Sequence, residues 1–392
     1  MAVWIPSAVL TAFVIAGSCA PAQTPTPTTP VQNTVRIRPG VEKIPLNQPT
    51  AARLKARKSS YKVTVSGSDW VDTQLEVAPG DSVAITATGD VSLSDGRKVT
   101  ADGTARGWKD LLRQFPDNSS PAGALVGRIG NTDATVPFSV GAQKTLQPPT
   151  AGELYLRINV SSDLTATGSY TATLHLSRQP ETAAVQTATE DALLGPVSPN
   201  LFASIPRRVG DLQGNPGDMV NFALVGTEEQ VKKSFQNAGW VAVDASKQDA
   251  VVDGLLKTLQ HQSYLEMPMS TLYLFGRPQD LSYARADPIT VAAERHHLRV
   301  WKSTETVDGK PMWVGSSTHD IGFEKDQRNN GITHKIDPQI DKERNFIEQS
   351  FAAAGNLEAA AYVLPSNPLT TAKTATGGSF ASDGRIVVLV LK

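Results

Sequence analysis

Four of the six histidines of this chain fall between Arg295 and Arg344. They sit among acids and arginines, in Arg295-His296-His297-Leu298-Arg299, Thr318-His319-Asp320 and Thr333-His334-Lys335-Ile336-Asp337. Histidine titrates near neutrality and is the commonest metal ligand, so the cluster suits proton transfer or metal ligation. An aspartate beside a histidine fixes one tautomer and raises the basicity of the ring. Arginines in the same stretch can clamp an anion such as a phosphate ester. The candidate catalytic residues are therefore His297, Asp320, His319 and His334, with Arg295 and Arg299 as candidate ligand-binding residues.

The elements that must position them are legible in part. Glu294 to Trp301 alternates as a strand, with Arg295, His297, Arg299 and Trp301 on one face and His296, Leu298 and Val300 on the other. Val307-Asp308-Gly309-Lys310 is a two-residue hairpin signal, and Pro311 to Asp320 is the return strand. A turn centred on Asp308-Gly309 places His297 opposite Asp320, Arg299 opposite Thr318 and Trp301 opposite Ser316. A slip of one residue would bring His297 opposite His319 instead. His296 shares its face with apolar residues and reads as a core histidine. Asp337 before Pro338 reads as the N-cap of a helix whose Ile340, Phe346, Ile347, Ser350 and Phe351 face inward. Glu343 and Arg344 read as solvent-facing helix charges or as an ion pair to a strand.

The intervals between His297, His319 and His334 match no compact metal motif. Gly-x-Ser-x-Gly, His-Glu-x-x-His, the P-loop and the dinucleotide fingerprint are all absent. The single cysteine, Cys19, lies near the N-terminus, which excludes a cysteine nucleophile in the folded body and any intrachain disulfide.

The chain has 392 residues, 40% hydrophobic and 19% charged, enough for two domains with sizeable cores. A net charge of -1 argues against nucleic acid as a partner. Ala2 to Gly17 is nearly continuous apolar sequence before Ser18-Cys19-Ala20-Pro21-Ala22, which reads as a signal peptide over residues 1–20. Ala16-Gly17-Ser18-Cys19 resembles a lipobox, making Cys19 a lipidation candidate unless cleavage at Ala20 or Ala22 removes it. No later window approaches membrane length. The expected location is outside the cytoplasm: periplasmic, outer-membrane-associated or extracellular.

Residues 21–59, with the run Thr24-Pro25-Thr26-Pro27-Thr28-Thr29-Pro30, read as a disordered linker. Residues 60–177 carry short alternating strands with turns between them, the pattern of an all-β jelly-roll-type sandwich. Residues 178–204 read as a second linker, and residues 205–392 as an α/β (α+β) domain with a mixed sheet and helices mainly on one face. Within it, Thr227-Glu228-Glu229-Gln230 is a capping box, Ser246 to Gln262 reads as a second helix, and Arg385 to Leu391 as a strand.

Pro79-Gly80-Asp81, Gly123 to Gly130, the Leu154 to Asn159 strand and Gly168-Ser169-Tyr170 resemble the LecA-like galactose lectins over residues 60–177. That resemblance implies a sugar site built on one calcium ion, with Asn159 and Asp163 as the nearest ligand-binding candidates. The sequence departs from the family there. Val160 stands where an Asp ligand is expected, Leu93 stands near the expected Tyr, and Ser161 to Thr167 offers one carboxylate. Calcium takes six to eight oxygens, so the expected ligands are largely missing.

Gly217-Asp218-Met219-Val220-Asn221, Leu224-Val225-Gly226, Ala238-Gly239-Trp240, Arg295 to Trp301, Trp313-Val314-Gly315 and Thr333 to Arg344 resemble the LssY-like C-terminal domain family over residues 207–355. The resemblance implies a domain found in envelope proteins and no particular reaction. Together these readings favour an exported envelope binding protein that engages a glycan or another envelope protein. The alternative is a metal- or histidine-dependent hydrolase of phosphate esters.

Overall fold

The computed structural model describes residues 34–46, 57–177, 189–243, 269–286, 294–325, 332–374 and 377–392. The signal peptide expected over residues 1–20, with Cys19, the Thr24–Pro30 run and the helix expected over Ser246–Gln262 lie outside the described residues. All described residues belong to one compact unit, Gln32–Lys392, which holds separate sandwich and C-terminal cores.

Residues 60–177 form the expected sandwich. One sheet is built around the long strand Ala166–Ser177, flanked by Ser60–Ser66 and Ser82–Thr88. The other has the order Val71–Val77, Gly152–Ile158, Leu125–Ile129, Phe138–Ser139. Inward residues of both sheets, including Leu75, Val83, Ile85, Leu154, Leu156 and Leu174, share one core. That alternation is what a strand with one buried face requires.

The C-terminal domain is a ten-stranded mixed sheet: β1 (Val35–Arg38), β2 (Val41–Lys43), β3 (Phe222–Val225), β4 (Val241–Ala242), β5 (Leu281–Ala286), β6 (Glu294–Val307), β7 (Lys310–Lys325), β8 (Ile332–Ile336), β9 (Leu357–Val363) and β10 (Ile386–Leu391). Their order is β1-β2-β9-β10-β3-β7-β6-β5-β4, with β8 on the far half of β7. Only β3 and β10 pair in parallel among these neighbours. Both sheet faces are covered, so all six residues of β10 are buried. Helices α1 (Glu228–Asn237) and α2 (Asp341–Ala353) cover one face through Val231, Phe235, Ile347 and Phe351. The other face packs under Leu194, Val197, Phe202 and Val209.

Three expectations are corrected. Residues 34–46, expected within the linker, instead carry β1 and β2, which extend the large sheet, with Val41 opposite Val363. Buried Val41 and Ile44 supply the apolar surface that the neighbouring Pro/Thr run lacks. Residues 189–204, also expected within a linker, contribute Leu194, Val197 and Phe202 to the core. Finally, α2 begins at Asp341 rather than after Asp337, whose Oδ1 accepts from the Gln339 N–H at 2.8 Å. Asp337 thus stabilises a local turn ahead of the helix.

The β6–β7 hairpin has the expected turn, with Asp308 and Gly309 both at positive φ (50° and 74°) and Val307 opposite Lys310. Further along, the register shifts. His297 pairs with Thr318, Arg295 with Asp320, and His296 with His319. The shift falls between Lys302 and Thr306, where β6 carries two more residues than β7. An offset of two changes every partner but leaves every side chain on its own face.

Candidate functional sites

Sheet parity divides the histidine stretch into two clusters, back to back across the β6–β7 hairpin. On the helix-covered face, His296 and His319 are directly opposed and their rings stack at 4.2 Å between centroids. Phe346 of α2 stacks on the other side of His296 at 3.7 Å, and the Arg285 guanidinium lies over Phe346 at 5.2 Å. Glu343, one turn earlier on α2, places Oε2 2.6 Å from His296 Nδ1. Burial pushes the Glu343 carboxyl up to about 8. Its second oxygen, Oε1, has no hydrogen-bond partner among the described residues. The ligand atoms of His296, His319 and Glu343 all lie within 4.8 Å of one another.

On the opposite face, Asp320 is the hub. His297 Nε2 lies 2.8 Å from Oδ1, and Arg295 Nε donates to Oδ2 at 3.2 Å. His334 Nδ1, from β8, is 3.5 Å from Oδ2 without hydrogen-bond geometry. Burial opposes ionisation of Asp320, but His297, His334 and Arg295 hold its carboxyl down at about 2. Thr318 Oγ1 lies 3.1 Å from His297 Nε2. Arg299 donates from Nε to the Ser270 carbonyl at 3.0 Å, and burial lowers its guanidinium pKa. These groups can relay a proton or hold a charge, but Asp320, His297, Arg295 and Arg299 are all more than nine-tenths buried.

The four residues proposed as one site are therefore split. His297, Asp320 and His334 share a face, and His319 stands on the other. His296 and Glu343 complete the second cluster, although each had a plain structural reading. One signal pointed to Glu343: it lies four residues before Ile347 and seven before Ser350, on the buried stripe of α2.

The sandwich carries a pocket, partly open to solvent and lined by Trp70, Gln114, Arg128, Asp133, Arg157 and Ser162 among others. The Arg128 guanidinium lies 4.4 Å over the Trp70 ring, and that of Arg157 lies 5.8 Å from it. Nε of both arginines is buried without a hydrogen-bond partner among the described residues. Burial lowers the pKa of each, though a guanidinium stays charged in water-accessible protein.

The residues expected near a calcium ion are committed elsewhere. Asn159 is fully buried, with Nδ2 donating to the Asp117 and Pro121 carbonyls and Oδ1 accepting from the Asp117 N–H. Asp163 accepts from Arg113 Nε at 2.8 Å and from Ser161 Oγ at 2.5 Å. Val160 and Leu93 are core residues. Neither Asn159 nor Asp163 lines the Trp70 pocket; Asn159 instead pins the 117–121 loop, and Asp163 closes an ion pair.

Residues 202–386 match the family model described as the LssY C-terminus. The C-terminal domain is thus LssY-like. The match runs past Gly355 to the first residue of β10, so it includes β9 and the whole α2 unit. Among solved structures, the chain is similar to an EclA N-terminal domain, titled a PllA-like lectin. The identity is 16%, the TM-score is 0.23, and the alignment covers 30% of this chain and 96% of that one. No curated protein matches the chain.

Proposed function

We propose that this chain is a binding protein whose sandwich takes an acidic saccharide in the Trp70 pocket. The observation that carries this reading is the pair of unsatisfied arginine Nε groups, Arg128 and Arg157, beside one indole. A guanidinium edge pairs with a carboxylate through two parallel N–H donors, and a buried donor without a partner favours any ligand that supplies an acceptor. Trp70 supplies the apolar face on which a sugar ring packs. Because the acidic group meets arginine directly, binding needs no calcium.

Export to the envelope belongs to the same proposal. The apolar Ala2–Gly17 leader and the Pro/Thr-rich run after it support that placement, and an envelope glycan with uronic acid residues is a ligand of matching chemistry. Calorimetry of the purified chain with uronic acid oligosaccharides, and with neutral ones of equal length, tests the reading. Acidic oligomers bind and neutral ones do not; Arg157→Gln weakens binding at least tenfold; chelator changes nothing. Equal binding of neutral oligomers, or none of either, rejects it.

A further inference from the structure

We propose that His296, His319 and Glu343 bind one divalent transition-metal ion of the zinc class, with a water completing the coordination. Two observations carry it. The first is convergence: two imidazoles and one carboxylate from β6, β7 and α2 bring their ligand atoms within 4.8 Å of one another. Around a tetrahedral ion, bonds of about 2.1 Å place such atoms roughly 3.4 Å apart, a separation within the span of this cluster. The second is that Glu343 is 2% exposed and its Oε1 has no hydrogen-bond partner among the described residues. A buried carboxylate oxygen without a donor is costly, and a cation removes that cost.

The donor set selects the metal. Imidazole nitrogen with one carboxylate suits zinc and its neighbours, whereas magnesium and calcium prefer all-oxygen shells. Three protein ligands leave a fourth position for water, the composition of a reactive rather than a closed structural zinc site. His296 is held between Phe346 and His319, so its ring is fixed. The two imidazoles lie 12° from parallel, and a metal sits in the plane of each ring it binds. Binding therefore turns the His319 ring, which is half-buried. The site is separate from the Trp70 pocket, and neither proposal depends on the other.

Cobalt and zinc loading of the full chain tests this. After chelator treatment and dialysis, the protein takes up one equivalent of Zn2+, and Co2+ in its place gives the intense visible bands of a four-coordinate ion. Glu343→Gln, which keeps a partner for His296, and His319→Ala each weaken Zn2+ binding at least tenfold. His334→Ala, on the other face, leaves it unchanged. If a variant fails to fold, the wild-type chain still decides: Zn2+ raises its melting temperature and Mg2+ at the same concentration does not. Sub-stoichiometric zinc, the weak spectrum of hexaaqua Co2+, or equal binding by wild type and His319→Ala overturns the proposal.

Discussion

Arg285 of β5 donates from Nη2 to the Thr135 carbonyl at 3.0 Å, reaching out of the LssY-like sheet into a sandwich loop. The same guanidinium bonds the Asp133 and Ala134 carbonyls and, on its own side, that of Ala238 after α1. Three successive carbonyls are held by one side chain because the guanidinium is a planar, multi-donor fork. Asp133 and Thr135 also line the Trp70 pocket. Arg285 faces His296 across the β5–β6 ladder. One residue thus adjoins the helix-side histidine cluster and fixes a wall of the sandwich pocket.

Replacing Arg285 with Ala leaves three buried carbonyls and the partly buried one of Asp133 short of a donor. The expected loss is on the order of 3–5 kcal/mol in a denaturant melt. Arg285→Lys recovers little of it, since an ammonium cannot reach the same fork of acceptors. Limited proteolysis reads the local effect, with new cleavage between residues 131 and 137 in either variant. Unchanged cleavage there would show that the loop is held by something else.

Asp320→Asn removes the carboxylate shared by Arg295 and His297 and leaves two buried bases facing an amide. Removing one partner of a buried charge cluster costs about 3 kcal/mol. The expected result is a clear fall in the denaturant midpoint with unchanged slope. His334→Ala, from the rim of the same cluster, costs much less, since its ring is 31% exposed and makes no hydrogen bond to Asp320.

Parity, not register, was the legible quantity in this stretch. The alternation of Arg295 to Trp301 assigned each side chain to a face, and those faces hold, because the irregularity between Lys302 and Thr306 adds an even number of residues. Partners were not legible, since a bulge leaves no mark in an alternating pattern of Ser, Thr and Glu. Glu343 was hidden for another reason. Charged residues in the first turn of a helix usually face water, and only the depth of α2 against the sheet buries Asp341, Glu343 and Arg344 together. The sandwich strands were readable because turns punctuate them. The strands at residues 35–43 were masked by the Pro/Thr run beside them.

Arg344, fully buried, bonds both oxygens of Asp383 at 2.5 and 3.1 Å. Burial works against ionisation of Asp383, but Arg344 and Arg385 hold its carboxyl down at about 2, from 3.8. A depressed acid stabilises the fold above its unfolded pKa and loses that contribution as pH falls through its folded value. The window is therefore about pH 4 to 2, and the contribution at neutrality is about 2 kcal/mol. In acid titrations of stability, Asp383→Asn lowers the plateau at pH 7 and flattens the fall below pH 4. A parallel fall in wild type and variant would assign that acid sensitivity to other carboxyls.

The two extra residues of β6 make a counterintuitive deletion series. Ser303 Oγ accepts from the Glu305 N–H at 3.2 Å and donates to the Met312 carbonyl at 2.9 Å, so the irregular segment is stitched to β7. Val307 beyond it is buried in the core with Met312. Deleting Thr304 alone shifts the tip of the hairpin by one residue and turns Val307 toward solvent, because the long ladder from Glu294 to Lys302 is anchored by the core and does not move. Deleting Thr304 and Glu305 together restores the parity of Val307 and regularises the ladder. The double deletion is expected to melt at a higher temperature than the single one, by several degrees, since exposing a buried valine costs roughly 1.5–3 kcal/mol. The opposite order would mean that the irregular segment stabilises the hairpin by its own contacts rather than by keeping each residue on its face.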